Sequence, residues 1–265
     1  KYILLLLEWY DYRIHRGVAQ IARENGWQLN CPKNPVNNVG FLEDWKGDGC
    51  SALLECTETL AYFKTHQIPL IDLGLAEHSL PVQRVVTDNE ETARLAAEHF
   101  RDQGYREIFT LSPGNTKMYE ERLHYFKKQI ENEGGRVHMI QSDHIHPGVI
   151  HELRAEAARR ERRLEEMSIG FFAFEDAMGA ELISLLLKHE LSVPENVAVL
   201  GVDNDDLINS GLTLGLSSVD TDLEGLGKRA AQELNHLLSN PMKEHYPTVI
   251  RQKPLGVIAR QSSDC

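Results

Sequence analysis

Acidic, amide and aromatic side chains follow directly after several apolar runs of this chain. These clusters are residues 8–11 after YILLLL, Asp88 and Asn89 after RVVT, residues 112–115 after EIFTL, Glu175 and Asp176 after IGFFAF, and residues 203–206 after VAVLGV. In open parallel sheets, ligands bind in the crevice beyond the carboxyl ends of the strands. If the apolar runs are parallel strands, all five clusters therefore occupy the same kind of position in the fold.

The side chains in these clusters suit a small molecule that is rich in hydroxyl groups. Hydroxyls donate hydrogen bonds to carboxylates such as Asp203 and to amides such as Asn204, and they accept from a guanidinium such as that of Arg122. The apolar face of a sugar ring packs on an aromatic ring, and Trp9 and Tyr10 supply two such rings. We therefore predict a polyol-binding site.

Several of these residues also have a purely structural interpretation. A glutamate follows Asp88 by three residues, which fits a capping box, and Asp176 could cap the helix that follows it. Trp9 and Tyr10 could pack in a core or an interface, and Arg122 could be a solvated charge on its helix. The shared position of the clusters after strands favours binding over these separate roles.

Two other motifs are weaker candidates for chemistry. The three histidines of SDHIHPGVIH lack the four-residue spacing of a helical metal-binding pair, and a proline and a glycine interrupt them, which favours a polar loop. In GLGKR at 225–229, Asp222 replaces the first glycine of a phosphate loop and no Ser or Thr follows Lys228, so we predict close helix packing. No metal, cofactor or catalytic residue is predicted.

Apolar runs alternate with amphipathic stretches along nearly the whole chain, which is typical of parallel strands joined by crossover helices. The predicted strands are residues 2–7, 52–55, 69–73, 84–87, 107–111, 136–140, 169–174, 197–202 and 214–219, with two more in PTVIR and LGVIA. Three helices are best defined: one that ends at Gly26, one that ends before Gly104, and one over residues 223–238. The fold class is α/β, and the absence of a visible linker predicts two domains between which the chain passes more than once.

Charge and composition limit the partners and the compartment that we expect. The formal net charge of -12 opposes phosphate neutralisation, so these residues alone are not expected to bind DNA. The four cysteines, Cys31, Cys50, Cys56 and Cys265, lack metal-type spacing, and a chain with this much core-forming material does not need a disulfide framework. No apolar run is long enough to span a membrane, and the first residues do not resemble a signal peptide. We expect a soluble cytoplasmic protein.

The stretch LSVPENVAVLGVDNDDLINSGLTLGLSSVDTDLEGLGKRAAQELNHLL resembles the sugar-sensing core of the lactose-repressor and ribose-binding-protein superfamily. The shared order is a helix, Val-Pro-Glu, a strand, Gly-Val-Asp, a short excursion, Leu-Ser-Ser-Val and a helix with Gly-x-x-Ala-Ala. The ending PTVIRQKPLGVIARQSSD is also similar to the close of that core in transcriptional regulators. Tyr10–Asp11, Thr87–Asn89 and Gly201–Asn204 further resemble xylose-responsive activators of the arabinose-regulator (AraC) type.

This resemblance implies a two-lobed, periplasmic-binding-protein-like fold of type I, with parallel sheets and three crossovers between the lobes. It implies one lobe of residues 1–111 and 220–240 and another of residues 112–219 and 241–265. A monosaccharide, xylose or a related pentose, would bind in the cleft between the lobes. Binding would control the attachment to DNA of a domain that lies outside this chain, and the regulator would be a homodimer.

The resemblance also assigns sugar contacts by position to Asp88, Arg122 and Asp203. Glu175 and the pair Asp220–Thr221 differ from the family pattern, which often has amides or a hydroxyl there, and this difference leaves the exact sugar open. The complete set of predicted ligand-binding residues is Trp9, Tyr10, Asp11, Asp88, Asn89, Arg122, Glu175, Asp176, Asp203, Asn204, Asp220 and Thr221.

Two other functions remain open from the sequence. A periplasmic sugar-binding protein of a transporter would use the same cleft but would carry a secretory signal. A glycoside hydrolase would use two of Asp88, Glu175, Asp176 and Asp203 as acid and base. The hydrolase would need one carboxyl group with a raised pKa, whereas a binding protein needs ionised acceptors.

Overall fold

The computed structural model describes residues 1–33, 40–43, 45–54, 57–75, 80–240 and 248–264. The strands are β1 (Tyr2–Leu7), β2 (Gln28–Asn30), β3 (Gly49–Leu53), β4 (Leu70–Asp72), β5 (Gln83–Thr87), β6 (Glu107–Leu111), β7 (Arg136–Ile140), β8 (Ile169–Phe172), β9 (Val197–Val202), β10 (Ser217–Asp220), β11 (Val249–Gln252) and β12 (Gly256–Ile258). The helices are α1 (Tyr12–Glu24), α2 (Gly40–Glu43), α3 (Thr57–Thr65), α4 (Asn89–Asp102), α5 (Lys117–Asn132), α6 (Pro147–Arg159), α7 (Asp176–Lys188), α8 (Asp206–Ser210) and α9 (Leu223–Ser239). The predictions for Cys56 and Cys265, and the predicted strand ends at Glu55 and Pro247, lie outside the described residues.

The predicted alternation of strands and helices is confirmed in the described part of the chain. Strands β1, β6, β7 and β9 have the predicted bounds, and the predicted helices correspond to α1, α4 and α9. Helices α1 and α4 each end two residues before a glycine of positive φ, Gly26 at 62° and Gly104 at 85°. The short strand β2 was missed because its sequence, QLN, has no apolar run and two of its three residues are exposed.

The chain divides into two compact units, the first made of Lys1–Thr87 and Asp222–Gln252 and the second of Asp88–Thr221 and Lys253–Cys265. In the first unit, a six-stranded parallel sheet has the order β11-β5-β4-β3-β1-β2. In the second unit, six strands have the order β12-β10-β9-β8-β6-β7. All of these pairs are parallel except β12 with β10, which is antiparallel and differs from the parallel arrangement that the sequence predicts.

The bounds of the units differ from the expected lobes at three places. Asp220 and Thr221 belong to the second unit because β10, which ends at Asp220, pairs with β9 and β12. Residues 88–111 belong to the second unit because α4 packs against α5 and β6 pairs with β7 and β8. Strand β11 belongs to the first unit because it pairs in parallel with β5, with Ile250 opposite Val85. These differences arise from strand pairing and helix packing between distant segments, which local patterns do not encode.

Each sheet is buried by its own helices. Ile3, Leu5 and Leu7 of β1 pack into one apolar cluster with residues of α1 and α9, while Leu4 and Leu6 pack into a second cluster on the other face. The second unit has one large cluster that surrounds β6, β8 and β9. These strands are apolar at nearly every position because both of their faces are covered.

The prediction of close helix packing at GLGKR is confirmed. Helices α1 and α9 lie against each other, and a Cβ atom on Gly227 would overlap the backbone carbonyl of Ile14. Asp222, which replaces the first glycine of a phosphate loop, caps the start of α9. Its carboxylate accepts a hydrogen bond from the backbone N–H of Gly225 at 2.9 Å. Among the described residues, no helix is both long and apolar enough to span a membrane.

Candidate functional site

The backbone at the carboxyl end of β9 has an unusual conformation. Asp203 has φ of 95° and Asn204 has φ of 48°, and two consecutive non-glycine residues rarely adopt positive φ. The backbone N–H of Asp203 donates to the carbonyl of Val219 at 2.8 Å, and that of Asn204 donates to Oγ of Ser218 at 2.9 Å. Bonds to β10 thus hold a strained turn, and such strain is concentrated at functional sites.

The Asp203 carboxylate is bonded to side chains from other segments of the unit. Its Oδ1 accepts a hydrogen bond from Oγ1 of Thr221 at 2.8 Å and lies 3.3 Å from Nη2 of Arg122. The Asp203 side chain is 17% exposed, whereas that of Arg122 is wholly buried. The carboxylate therefore reaches solvent while its partners fix it from the protein side.

Arg122 organises the second unit from inside. Its Nε donates to Oδ1 of Asn89 at 3.0 Å, and Nη1 donates to the carbonyl of Phe174. Asn89 in turn donates from Nδ2 to Glu121 at 2.9 Å. The interpretation of Arg122 as a solvated surface charge is therefore wrong, because its guanidinium joins α4, the turn after β9 and the segment after β8.

Asp176 does not cap a helix, so the capping interpretation is wrong at this position. Helix α7 begins at Asp176 itself, and its buried carboxylate accepts from Oγ of Ser218 and from the backbone N–H of Asp205, both at 2.6 Å. A Cβ atom on Gly201 would overlap Asp176 Oδ1, so glycine at this strand position makes room for the carboxylate. Asp176 thus connects the turn after β9 to β10 through its two hydrogen bonds.

Glu175 lies near a residue that the sequence analysis missed. This residue is Tyr119, which is close enough for the charge of the Glu175 carboxylate to act on its hydroxyl. The Tyr119 ring stacks on Phe174 with centroids 5.1 Å apart. Burial, followed by the charge of Glu175, raises the pKa of Tyr119 above its usual range. Its position three residues before Arg122 on α5 places both residues on one helix face, and this spacing was an available signal.

The side-chain amide of Asn204 is held by a second pair of charged residues. Its Nδ2 donates to Oδ2 of Asp220 at 3.0 Å, and its Oδ1 accepts from Nη2 of Arg260 at 2.7 Å. Arg260 was also missed by the sequence analysis. It lies 56 residues after Asn204, in a segment whose local pattern gives no sign of this contact.

Asp88 has the predicted structural role at the start of α4. Its Oδ1 accepts a hydrogen bond from the backbone N–H of Glu91 at 3.1 Å, which confirms the N-cap interpretation. The Glu91 carboxylate pairs with Arg94 on the next turn. The adjacent Asn89, by contrast, is fully buried and bonds to Arg122.

The remaining predicted residues lie in the first unit. Asp11 caps α1 by accepting from the backbone N–H groups of Arg13 and Ile14 at 2.8 and 3.2 Å. Trp9 and Tyr10 are 45% and 65% exposed, so the interpretation of these rings as core residues is wrong. Their predicted contact with a ligand remains a prediction.

The structure brings nine of the twelve predicted residues into the second unit. These nine are Asp88, Asn89, Arg122, Glu175, Asp176, Asp203, Asn204, Asp220 and Thr221. Carboxylates outnumber cations among these nine residues, and the guanidiniums of Arg122 and of the neighbouring Arg260 are bonded to protein acceptors. Such a cluster suits a ligand that donates hydrogen bonds and disfavours an anion. Among the described residues, no three His, Cys, Asp or Glu side chains are arranged to hold a metal ion.

Two α/β units joined by three chain passages, with polar side chains collected at the carboxyl ends of the second sheet, define a protein of the periplasmic-binding-protein type. The chain belongs to the family of periplasmic binding protein-like domains, whose model matches residues 97–263. This match confirms the predicted superfamily and the α/β fold class.

Curated relatives and solved structures agree with this assignment. The xylose operon regulatory protein of Escherichia coli K12 is 26% identical over 265 residues, covering 96% of this chain and 67% of that protein. A ribose-bound LacI family transcriptional regulator from Enterococcus faecalis V583 has a TM-score of 0.78 at 19% identity, covering 99% of this chain and 98% of the other. The structure of the xylose-binding transcription activator xylR has a TM-score of 0.75 at 21% identity, covering 100% of this chain and 70% of the other. At these identities the two structures show the fold alone.

Proposed function

We propose that this chain is the sugar-sensing part of a transcriptional regulator and that its second unit binds a neutral monosaccharide at Asp203 and Asn204. The observation that carries this proposal is the strained turn after β9. There, a carboxylate and an amide are both fixed by charged partners within the protein. Groups that are already ordered lose little conformational freedom on binding, and this raises affinity.

The chemistry of the cluster favours a sugar over a charged metabolite. Asp203, Glu175 and Asp220 offer carboxylate oxygens, which accept hydrogen bonds from hydroxyl groups. A phosphate or carboxylate ligand would meet these negative charges, and both arginines are already bonded to protein groups. We therefore expect neutral sugars to bind more tightly than sugar phosphates or sugar acids.

Relatives support a pentose as the effector and a regulatory role. The E. coli relative is named as a regulator of the xylose operon, and the similar E. faecalis structure holds ribose. We propose xylose or a related pentose for this chain, and a homodimer as the functional regulator. Contact with DNA is assigned to a domain outside these residues, because a formal net charge of -12 opposes binding to phosphates.

A hydrolytic function has less support from the same residues. Asp176 is buried and both of its carboxylate oxygens accept hydrogen bonds from protein groups. Asp88 is engaged as a helix cap. Two of the four carboxylates that a glycoside hydrolase would draw on are thus engaged in the support of the fold.

A thermal-shift screen followed by calorimetry tests the proposal. The panel contains D-xylose, L-arabinose, D-ribose and D-glucose, with ribose 5-phosphate and xylonate as anionic counterparts. A ligand that binds only the folded state raises the melting temperature. We expect at least one neutral sugar to do so, with little effect from the anions.

Two variants then locate the site. Asp203→Asn keeps the shape but removes the charge, and we expect it to weaken sugar binding at least about tenfold, because charged hydrogen bonds contribute about 1.5 to 3 kcal/mol. Asp102→Asn, at a carboxylate that is 68% exposed at the end of α4, serves as the matched control and leaves affinity unchanged. Equal affinities of Asp203→Asn and the parent chain would overturn the assignment, as would a panel in which no sugar raises the melting temperature. For the regulatory role, a full reading frame that encodes a secretory signal and no DNA-binding domain would be contrary evidence.

A further inference from the structure

The side chain of Arg260 connects the last segment of the second unit to the candidate site. Its Nη2 donates to Oδ1 of Asn204 at 2.7 Å, and its Nη1 donates to the carbonyl of Leu216 at 2.7 Å. Two acceptors from two different segments thus fix the plane of the guanidinium. A guanidinium presents its donors in a rigid fork, so holding one branch also directs the other.

The backbone around Arg260 is anchored independently of its side chain. Its N–H donates to Oγ of Ser217 at 2.8 Å, and the same hydroxyl donates to its carbonyl at 2.9 Å. Two residues further on, Ser262 is buried, donates from Oγ to the carbonyl of Val199 at 2.6 Å and accepts from the backbone N–H of Ser217 at 2.8 Å. Because none of these bonds uses the side chain of Arg260, a substitution of that side chain leaves the segment in place.

Arg260 determines which end of the Asn204 amide faces in each direction. A primary amide has an oxygen that only accepts and a nitrogen that only donates. With Oδ1 toward Arg260 and Nδ2 toward Asp220, both polarities match. A flipped amide would place two donors against each other at Arg260 and two acceptors against each other at Asp220, so the observed orientation is strongly preferred.

These two bonds leave Asn204 with one unused acceptor position and one unused N–H. An amide of fixed polarity can therefore present a donor and an acceptor in defined directions to an adjacent hydroxyl group. An amide that rotates freely would lose this discrimination, because either end could face the ligand.

We propose that Arg260 is a positioning residue that sets the orientation of the Asn204 amide and thereby the selectivity of the site among sugar stereoisomers. This inference rests on the proposed function only in its second part, because the effect of Arg260 on the amide does not require a sugar. Arg260 acts through Asn204 and is not itself assigned a contact with the ligand.

The first measurement follows the Asn204 side-chain amide by NMR in the absence of sugar. The signal is assigned by its loss in Asn204→Ser. In Arg260→Met, we expect a lower order parameter for this NH₂ group, since one of its two fixed partners is gone. Arg159→Gln removes an arginine whose side chain is 72% exposed and serves as the control, with no expected change. An order parameter for Asn204 that is the same in Arg260→Met and in the parent chain would overturn the proposal.

The second measurement is calorimetric binding of D-xylose and L-arabinose in a double-mutant cycle. Arg260→Met is expected to weaken D-xylose binding about tenfold, in line with the loss of one ordered hydrogen-bonding group, and to reduce the ratio of the two affinities. In an Asn204→Ala background, the same Arg260 substitution is expected to have no further effect on sugar binding, because the amide through which Arg260 acts is absent. Equal effects in both backgrounds would indicate a general structural role and overturn the proposal. If the parent chain binds no sugar, the proposed function fails, and the NMR result alone decides the role of Arg260.

Discussion

Arg122 and Asp203 are 81 residues apart in the sequence, yet Nη2 of the first lies 3.3 Å from Oδ1 of the second. The arginine is wholly buried and the aspartate is partly exposed. The pair thus combines a cation that is inaccessible to solvent with an anion that a ligand can reach. This arrangement makes Arg122 a support for Asp203.

Replacing Arg122 with methionine tests this support. The substitution removes the charge that faces Asp203 and the donors that Asn89 and Phe174 use. Breaking a buried ion pair by removing one partner costs about 3 to 5 kcal/mol, and the partial exposure of Asp203 places the expected loss near the lower limit, about 3 kcal/mol. Urea unfolding of Arg122→Met measures it. Arg154→Met, at an arginine that is 46% exposed, is the control and should change stability by less than about 0.5 kcal/mol.

Gly227→Ala is expected to destabilise the first unit in spite of the higher helix propensity of alanine. The propensity gain is about 1 kcal/mol, but the new methyl group would overlap the backbone carbonyl of Ile14, which cannot move without shifting α1. Overpacking of this kind costs about 1 to 3 kcal/mol, so we expect a net loss. Chemical denaturation measures the free energy of unfolding. Gln232→Ala on the exposed side of α9 is the matched control, and a stabilised Gly227→Ala variant would contradict the packing described.

The partly buried imidazole of His99 is expected to make the free energy of unfolding depend on pH. Its ring nitrogen lies 2.6 Å from Oγ of Ser263, and burial lowers the pKa of His99 below its ordinary value. The unfolded chain therefore binds a proton more readily than the folded chain as the pH falls below about 6.5, and stability decreases there. Above that pH both states are neutral at this residue and the effect is absent.

The variant His99→Gln keeps a group that can bond to Ser263 but does not titrate. We expect its free energy of unfolding to fall less than that of the parent chain between pH 7.5 and 5.5, as measured by urea denaturation at each pH. His151→Gln, at an exposed position on α6, controls for the removal of an imidazole. Identical pH profiles for His99→Gln and the parent chain would show that His99 does not contribute.

Asp176→Asn is expected to destabilise the turn after β9. The carboxylate accepts from both Ser218 and the backbone N–H of Asp205. An asparagine would accept from the Asp205 N–H with its oxygen and turn its NH₂ group toward Ser218, whose Oγ already accepts from the backbone N–H of Asn204. The buried Ser218 hydroxyl would then accept two hydrogen bonds, and its own proton would lose its acceptor. We expect a loss of about 1 to 3 kcal/mol from the unsatisfied group. Thermal unfolding measures the effect, and Asp206→Asn, at the exposed start of α8, should show none.

The sequence predicts much of the secondary structure because its patterns are local. The apolar runs of β1, β6, β7 and β9 and the stripe of α9 each depend on residues that are neighbours along the chain. The division of the chain into two units, by contrast, does not follow from local patterns. Strand β11 joins the first sheet through its pairing with β5, and no pattern within residues 249–252 specifies that partner.

Local sequence patterns determine even less of the candidate site. The residue types after the strands, Asp203 and Asn204 among them, indicate a ligand rich in hydroxyl groups because hydrogen-bonding capacity belongs to each side chain by itself. Burial and the distances between side chains decide which residues a ligand could reach and which hold other residues in place. Arg122 is fully enclosed, Asp176 serves the backbone of Asp205, and Arg260 reaches Asn204 across 56 residues. Those roles follow from contacts between distant segments of the second unit, which exist only once its sheet has formed.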